Sequence, residues 1–285
     1  MLIILLLNYF WKEIITKLSI FTIMQVKFKH NNISFEADLS KPLDISIPIK
    51  HGKENPNCFW APYPWFEPYK AGGFVGSTKS GAPVNFYNIK MNPHGNGTHT
   101  ECVGHIAKEK YSINDCLQKF WFVAELISVT PTKQDNGDEV ISLAGVQNAL
   151  VNKRKYEALI IRTLPNAEDK KTKVYSSSNP CYLDVAAMEW IVEQGVQHLL
   201  IDLPSVDREE DEGKLLSHHA FWNYPAYGTN ATADDLAKVR ANNTISELIY
   251  VPDEIKDETY LLNIQIASFD LDVSPSKIVL YKIES

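Results

Sequence analysis

Alternating apolar and polar residues predict a β-hairpin over residues 25–40. The alternation runs on both sides of Asn31 and Asn32, and a period of two interrupted by turn residues is typical of two antiparallel strands. The same alternation returns at residues 84–91, which we predict to form a further strand. Residues 41–90 are otherwise rich in Pro, Gly and aromatic residues, a composition typical of loops that lie over another part of a protein.

Unbroken apolar runs predict strands in the interior of the fold. A run such as 158–163 is short and bounded by turn residues, which favours a buried strand over a helix. The predicted interior and closing strands cover residues 120–129, 158–163, 196–203, 261–269 and 277–283.

Only residues 183–194 have clear helical spacing. Val185, Met188 and Ile191 recur every three positions there, and Gly195 is a typical helix stop. Strands therefore outnumber helices, and no internal repeat is visible.

Composition and charge narrow the function classes. The chain has 285 residues, of which 45% are hydrophobic and 22% are charged, and this fits one large globular domain or two small ones. The formal net charge of −7 argues against a general nucleic-acid binder and against docking on anionic membranes, because both need a basic face. The charged runs 207–212 and 253–258 are expected to be solvated loops.

The four cysteines, at positions 58, 102, 116 and 181, are too scattered for a disulfide framework. No CxxC pair is present, which excludes a cysteine-based zinc finger, and no glycine-rich nucleotide-binding motif occurs. We therefore expect reduced thiols and a cytoplasmic protein.

The first 23 residues are apolar, but charges interrupt them. Lys12, Glu13 and Lys17 break the run that a spanning helix needs, and neither a basic start nor a small-residue cleavage site marks a secretory signal. Three interpretations stay open: an upstream extension with Met24 as the natural start, a membrane anchor, or an amphipathic helix that packs on the domain or on a partner. We expect the extension, with residues 24–285 as a single domain and no membrane contact.

The densest group of metal-ligating side chains lies at residues 92–105. Three of the eight histidines, His94, His99 and His105, occur there together with Glu101. Residues two apart in an extended segment point to the same side, so His99 and Glu101 project together. A glycine-rich turn can fold His94 back toward His99, and a further glycine allows a bend before His105. Converging imidazoles and carboxylates are ligands of Zn²⁺ or Mn²⁺, whereas the alternative is a polar loop with unrelated histidines.

A second pair of histidines, His218 and His219, is followed later by Glu247. Neighbouring residues of a helix point about 100° apart, so only one of the two can face a given site. Taken alone, the pair is more typical of a polar surface than of a site.

These residues resemble the cyclase family, which includes bacterial kynurenine formamidases and isatin hydrolases. The family motif His-x-Gly-Thr-His-x-Asp-x-Pro-x-His is similar to Gly97-Thr98-His99-x-Glu101 followed by His105. The resemblance continues in order over about residues 35–283. Other segments that resemble family segments are 38–43, 160–163, 195–207, 218–219, 247–248, 272–275 and 279–280.

Three departures from the motif lie in the same loop. The first motif histidine should stand four residues before His99, where this chain has Gly95, and His94 is one position earlier. Glu101 replaces the motif aspartate, and Val103 replaces the motif proline. We still expect His94 to bind the metal, because the glycines of this turn tolerate the bulge that the shift needs.

The resemblance implies a β-rich α/β domain of the swivelling β/β/α type, in agreement with many strands and few helices. It also implies one or two divalent ions, Zn²⁺ or Mn²⁺. The first ion would be held by His94, His99 and Glu101. The second would be held by His105, Glu247, a bridging Glu101 and one of the adjacent histidines, with His218 favoured by its spacing over His219.

The implied reaction is hydrolysis of a small amide by metal-activated water. The catalytic residues would be Glu101 and the spare histidine, His219, which would protonate the leaving nitrogen. Ser205 and Asp207 either orient ligand histidines or belong to a plain turn.

An aryl formamide such as N-formylkynurenine is one candidate substrate. The aromatic residues Trp60, Trp65 and Phe66 either line the binding site of such a substrate or belong to the core or an interface. The same two alternatives hold for Trp222 and Tyr224. Both belong to an insertion at 222–242 whose composition is typical of a loop over the site. The alternatives are a hydrolase of a cyclic amide or lactone, a dehydratase-type cyclase, and a catalytically silent metal-binding protein. By resemblance the protein is a homodimer or homotetramer.

Overall fold

The computed structural model describes residues 24–150 and 156–284. Its strands are β1 (Gln25–His30), β2 (Ile33–Asp38), β3 (Leu43–Asp44), β4 (Trp65–Pro68), β5 (Lys70–Ala71), β6 (Phe74–Val75), β7 (Tyr87–Lys90), β8 (His99–Glu101), β9 (Trp121–Val129), β10 (Thr132–Lys133), β11 (Glu139–Ile141), β12 (Ala158–Thr163), β13 (Tyr182–Leu183), β14 (His198–Ile201), β15 (Thr244–Glu247), β16 (Thr259–Ile266) and β17 (Val273–Glu284). Its helices are α1 (Pro93–Asn96), α2 (Ile113–Cys116), α3 (Leu143–Ala149), α4 (Val185–Glu193), α5 (Leu216–Trp222) and α6 (Ala233–Leu236). Short 3-10 helices cover Thr78–Ser80, Val103–His105 and Glu168–Lys171.

A barrel-like sheet organises the fold. Seven of the described strands follow the order β17, β16, β9, β12, β14, β15 and β8, and β8 closes the ring by pairing with β17. Strands β9, β12, β14 and β15 run parallel, so helices cross over between them. The protein is therefore a strand-rich α/β domain, in agreement with the many strands and few helices that the sequence predicts.

Strand β12 shows why the interior strands are apolar throughout. Leu159 and Ile161 face a core layer shared with helices α3, α4 and α5. Ile160 points the other way, into the barrel with Leu126 and Leu262. Because both faces are buried, the strand has no polar side.

The predicted hairpin is confirmed, and its turn is made by Asn31 and Asn32. Both residues have positive φ angles, 48° and 65°, which a two-residue hairpin turn requires and which Asn tolerates. Phe28 and Phe35 stack across the hairpin with ring centroids 5.5 Å apart.

The other predicted elements are present, most of them with shifted ends. The predicted strand 158–163 keeps its bounds. The strands predicted at 84–91, 120–129, 196–203, 261–269 and 277–283 are observed at Tyr87–Lys90, Trp121–Val129, His198–Ile201, Thr259–Ile266 and Val273–Glu284, respectively. The helix predicted at 183–194 is observed at Val185–Glu193. Gly195 follows the helix with a φ of 82°, as its role as a stop requires.

The expectation of solvated loops is wrong for part of the charged runs. Asp207 is buried, because its carboxylate accepts hydrogen bonds from the free N–H groups of Ser217 and His218 at the start of α5. In the second run, Asp257 is exposed, as expected, and its carboxylate pairs with the buried Arg162 at 2.8 Å. A charged run can thus contain single residues that the fold uses internally.

The segment 1–23 lies outside the described residues, so its three interpretations and the predicted domain boundary stay predictions. In residues 24–150 and 156–284, no helix is both long and apolar enough to cross a membrane. Cys58, Cys102, Cys116 and Cys181 are unpaired, as expected.

Candidate metal centre

A group of imidazoles and carboxylates, which we call the histidine cluster, converges beside β8. Its members are His94, His99, Glu101, His105, His218, Glu247 and Asp272.

Strand β8 supplies the two central members, His99 and Glu101. It lies between β15 and β17, and the register places Glu247 opposite His99. Because successive strand residues face opposite sides, the Thr100 hydroxyl turns away and lies 2.8 Å from Ser246 Oγ. His99 and Glu101 are fully buried on the cluster side, as their spacing predicts.

The turn before β8 brings the shifted histidine into the cluster. Helix α1 is capped by the Asn92 side chain, which accepts a hydrogen bond from the Gly95 N–H. The His94 ring lies 5.3 Å from the His99 ring, and His94 Nδ1 lies 3.1 Å from Glu101 Oε2. A Cβ atom at Gly95 would come within 2.4 Å of Ala61 Cβ, so this position excludes a histidine.

The segment after β8 adds His105. Gly104 packs against the Tyr111 carbonyl oxygen, which would lie 2.5 Å from an added Cβ atom, and this close approach turns the chain into the 3-10 helix Val103–His105. His105 Nδ1 lies 3.9 Å from Glu101 Oε2 and 3.6 Å from Asp272 Oδ2. Its side chain is 30% exposed, the largest exposure recorded for an imidazole of the cluster.

Helix α5 decides between the adjacent histidines. His218 Nε2 lies 3.2 Å from Glu101 Oε1, and its Nδ1 lies 2.6 Å from Asp207 Oδ2. His219 turns elsewhere, and its Nδ1 donates to the Tyr224 carbonyl oxygen at 3.0 Å. His218 is thus the member of the pair that joins the cluster.

Two carboxylates come from distant strands. Glu247 ends β15; its Oε1 accepts from the Val206 N–H at 3.0 Å and its Oε2 lies 3.3 Å from His99 Nε2. Asp272 precedes β17 and lies 3.0 Å from His94 Nε2. Sequence reasoning missed Asp272, although 272–275 was recognised as a family-like segment.

The hydrogen bonds of the histidines show which kind of ligand the histidine cluster can bind. His99 Nδ1 lies 3.0 Å from the Gly97 carbonyl oxygen, which only accepts, so Nδ1 carries the hydrogen. In the neutral ring, Nε2 then presents a lone pair toward Glu247. Neither His99 Nε2 nor Glu101 Oε2 has a hydrogen-bond partner among the described residues, although both atoms are buried.

The same pattern repeats at His218 and His94. Asp207 accepts from His218 Nδ1, which leaves Nε2 toward Glu101. Asp272 accepts from His94 Nε2, which leaves Nδ1 toward Glu101. An imidazole lone pair and a carboxylate both carry negative charge density, so a cation between them is needed to hold them close together. A carboxylate or carbonyl oxygen that accepts from the other ring nitrogen is the usual partner of a metal-binding histidine. The donor set therefore fits a divalent transition metal.

Protons can occupy the same lone pairs. Burial lowers the pKa of His94, but the neighbouring carboxylates of Asp272 and Glu101 outweigh it and raise that pKa to about 10. Burial would likewise lower the pKa of His218, yet Asp207 and Glu101 raise it well above its usual value. Burial would raise the pKa of Glu101, but the neighbouring histidines hold it well below its ordinary range. A divalent cation would thus compete with protons for these ligand atoms.

Among the residues that the structure describes, three overlapping groups have ligand atoms within 4.8 Å of one another: His94 with His99 and Glu101, His94 with His105 and Asp272, and Glu101 with His105 and His218. The first contains the residues expected for one ion, and the third contains three of those expected for a second ion. Which groups bind ions, and how many ions bind, stays a prediction.

The aromatic candidates lie in different places. Trp60 is 62% exposed and belongs to a segment that packs on the His94 turn, where the Cys58 N–H donates to the Gly95 carbonyl oxygen. Trp65 and Phe66 lie on β4, which pairs with β7 in a separate ribbon. Their ring contacts in the described residues are with His51. Their role in substrate binding stays a prediction.

The structure shows the contacts of three further residues that the sequence analysis considered near the site. Trp222 is fully buried, and its ring packs 5.6 Å from the His218 ring, so it supports the site rather than lining it. Ser205 Oγ accepts from the Asp207 N–H and therefore belongs to the turn. Asp207 is the residue that orients a histidine.

Comparison with known proteins agrees with the sequence and the fold. Residues 37–208, more than half of the chain, match the model of the family described as "Putative cyclase". No curated protein has a matching sequence.

Several solved structures have a similar fold. A "predicted metal-dependent hydrolase" from Bacillus stearothermophilus is 16% identical with a TM-score of 0.57, covering 85% of this chain and 98% of that chain. Isatin hydrolase A from Ralstonia solanacearum is 14% identical with a TM-score of 0.57, covering 85% and 91%. Isatin hydrolase A from Labrenzia aggregata, bound to benzyl benzoate, is 13% identical with a TM-score of 0.55, covering 96% and 99%. At such identities the likeness concerns the fold alone.

Proposed function

The chain belongs to the cyclase family, and from that premise we propose that it is a metal-dependent hydrolase that cleaves the C–N bond of a small amide. The observation that carries this proposal is the set of imidazole lone pairs directed at Glu101 and Glu247. His99, His218 and His94 are each held from behind by an oxygen atom, and each presents its other nitrogen to a carboxylate. Such a donor set suits Zn²⁺ or Mn²⁺.

A bound divalent cation supplies Lewis acidity, which makes water a nucleophile near neutral pH and polarises a carbonyl group. The chain contributes fixed ligands, because buried hydrogen bonds hold the rings of His99 and His218. Such preorganisation means that little reorientation is needed during the reaction.

For a centre with one ion, in which His105 is not a ligand, we assign the proton transfer to His105 rather than to His219. The His105 side chain is partly exposed and lies within 4 Å of both Glu101 and Asp272, so it can take up a proton and pass it to a leaving nitrogen. His219 contacts no member of the histidine cluster among the described residues, and its Nδ1 donates to the Tyr224 carbonyl oxygen. Glu101, which lies near His94, His105 and His218, remains our candidate for the bridging ligand.

A cysteine nucleophile is disfavoured. Cys102 adjoins Glu101 in the sequence, but it is fully buried. Its contact with Cys116 and its burial raise the pKa of its thiol far above the usual range, so the reactive thiolate is scarce.

The test is hydrolysis of a small panel that contains an aryl formamide, an alkyl formamide and a cyclic amide. A strong chelator should abolish turnover, and Zn²⁺ or Mn²⁺ should restore it, while a thiol reagent should leave it unchanged. Turnover that survives chelation and is lost with the thiol reagent would overturn the proposal.

An aryl formamide such as N-formylkynurenine is our first substrate candidate, because aromatic residues such as Trp60 lie next to the His94 turn. A cyclic amide is the second candidate, since two proteins of similar fold are named isatin hydrolases and isatin is a cyclic amide. A catalytically silent metal-binding protein would bind metal and turn over none of the panel.

A further inference from the structure

The position of the Glu247 carboxylate depends on how the chain leaves β15. Glu247 is the last residue of that strand and lies opposite His99 of β8. One carboxylate oxygen accepts from the Val206 N–H at 3.0 Å, and the other lies 3.3 Å from His99 Nε2. Because a side chain leaves the backbone at Cα, the direction of this carboxylate follows the backbone conformation at the end of β15.

The chain leaves β15 through an unusual turn at Leu248. This residue has a φ angle of 52°, in the left-handed region that a bulky side chain rarely adopts. Leu248 is also fully buried, in a small cluster with Cys58 and Tyr175. Such conformations persist only where the surrounding structure holds them, and they are concentrated at functional sites. A specific contact must therefore hold this turn beside a candidate metal ligand.

The hydroxyl of Thr98 makes that contact. Thr98 Oγ1 donates to the Leu248 carbonyl oxygen at 2.5 Å and accepts from the Ile47 N–H at 2.8 Å. Thr98 directly precedes His99, and Leu248 directly follows Glu247. The Thr98–Leu248 bond therefore lies immediately beside the Glu247–His99 pair, where the backbone pairing of β15 with β8 ends.

Loss of the hydroxyl would leave the Leu248 carbonyl group in an unfavourable state. In the part of the chain that the structure describes, the Thr98 hydroxyl is the recorded donor to this oxygen. A buried carbonyl group without a donor is costly, so the backbone at Leu248 would rotate toward a conformation that gives it another partner. Because Leu248 is bonded directly to Glu247, such a rotation would turn the Glu247 carboxylate away from His99.

We propose that Thr98 is a positioning residue of the metal centre: its hydroxyl holds the left-handed turn at Leu248 and thereby keeps the Glu247 carboxylate facing His99 Nε2. The inference rests on the proposed function in one respect, because it takes Glu247 as a ligand of the divalent ion. Thr98 itself does not contact the ion and acts through Leu248 and Glu247.

The test compares two substitutions that differ in the hydroxyl. Thr98→Val keeps the branched shape and removes the hydroxyl, so the affinity for Zn²⁺, measured by competition with a chromophoric chelator, should fall about 10-fold, the lower range for losing a residue that orients a ligand. Thr98→Ser keeps the hydroxyl and should restore the wild-type affinity. Wild-type affinity in Thr98→Val would overturn the proposal, as would a Thr98→Ser protein that binds as weakly as Thr98→Val.

Thr244→Val is the matched control for a purely structural loss. Thr244 is buried at the other end of β15, and its hydroxyl lies 2.9 Å from Nδ1 of His198, which is not a member of the histidine cluster. Urea unfolding should show a loss of stability in both valine variants. Only Thr98→Val should change the Zn²⁺ affinity and the visible absorption of bound Co²⁺, which reports the ligand geometry. Equal losses of affinity in the two variants would overturn the proposal.

A milder variant covers the case in which Thr98→Val does not fold. Thr98→Cys keeps a small side chain whose S–H is a weaker donor than a hydroxyl. Its Zn²⁺ affinity should be lower than that of the wild type, and wild-type affinity in this variant would contradict the proposal.

A double-variant cycle shows whether Thr98 acts through Glu247. In a Glu247→Ala background the carboxylate is gone, so Thr98→Val should cost no further affinity. In a His94→Ala background it should cost the same factor as in the wild type. Substitutions that act through one another depart from additivity, whereas independent ones do not. The same loss in both backgrounds would overturn the proposal.

Metal binding needs no turnover, so the two hypotheses fail separately. A protein in which Thr98→Val weakens metal binding as expected, but which hydrolyses no amide, would contradict the proposed function and leave the positioning role intact. A chelator-sensitive amide hydrolase whose Thr98→Val variant binds metal as the wild type does would contradict the positioning role alone.

Discussion

The Nδ1 atom of His218 lies 2.6 Å from Oδ2 of Asp207, and the same carboxylate accepts hydrogen bonds from the N–H groups of Ser217 and His218. One buried aspartate therefore both begins helix α5 and orients an imidazole. The arrangement turns His218 Nε2 toward Glu101. Substitution of Asp207 therefore tests whether the residues that orient the histidines contribute to metal binding.

Asp207→Asn should weaken binding of Zn²⁺ or Mn²⁺ by about 10- to 100-fold, the usual effect of losing a partner behind a metal-binding histidine. The amide can still accept one backbone N–H, but it cannot replace the carboxylate at both the helix start and His218 Nδ1. Competition with a chromophoric chelator gives the affinity. Asp211→Asn is the matched control, because Asp211 caps the neighbouring loop at Gly213 and Leu215 without touching an imidazole. Equal losses in both variants would contradict the account.

His94→Ala should lower metal affinity by at least about 10-fold. His94 lies 3.1 Å from Glu101 and 3.0 Å from Asp272, so its removal takes away an inward-facing nitrogen. Asp272→Asn should act in the same direction through the His94 ring. His51→Ala, at a histidine whose ring contacts are on the β4–β7 ribbon, is the control. Full metal content in His94→Ala, with loss in His99→Ala, would end the idea of a shifted ligand.

Metal binding at pH 7 should release protons. The pKa of His94 is raised to about 10 and that of His218 is raised as well, so both rings hold a proton that a cation must displace. Apparent affinity should therefore rise with pH up to about 10, the value for His94, because below it the ring holds a proton that the cation must displace. Calorimetric titrations in two buffers of different ionisation enthalpy measure the release. An observed enthalpy that is the same in both buffers would contradict the prediction.

Lys170→Met should destabilise the fold by about 3 kcal/mol without changing metal affinity. Lys170 Nζ lies 2.8 Å from Asp202 Oδ2, and both side chains are buried, so the variant leaves a carboxylate without its cation. Urea unfolding measures the loss. The double variant Lys170→Met with Asp202→Asn removes that charge and should recover part of the stability. A double variant less stable than the single one would show that the ion pair is not the cause.

Local patterns predicted the interior strands well. Ala158–Thr163 is correct at both ends, because a strand buried on both faces leaves an unbroken apolar run. Strand β8 gave no such signal. It has three residues, His99–Glu101, all buried and none of them aliphatic, and its place in the sheet depends on β15 and β17, which come much later in the chain.

The candidate site, like the strands, could be predicted from the sequence only where its residues are close together in the chain. His99 and Glu101 could be paired from strand geometry alone, because that relationship is local. Asp272 could not, since it enters the cluster only when β17 pairs with β8 and places Val273 opposite Glu101. The choice of His218 over His219 likewise depends on where Asp207 lies, which no local pattern contains.

Metal content measured together with a single ligand variant tests the central claim most directly. Wild-type protein expressed with added Zn²⁺ or Mn²⁺ and then dialysed should retain about one or two equivalents by elemental analysis, since sites of this donor set bind tightly. His99→Ala should retain less than about 0.2 equivalents, because it removes the buried Nε2 that faces Glu247. Wild-type protein with less than about 0.2 equivalents of any such metal would contradict the account.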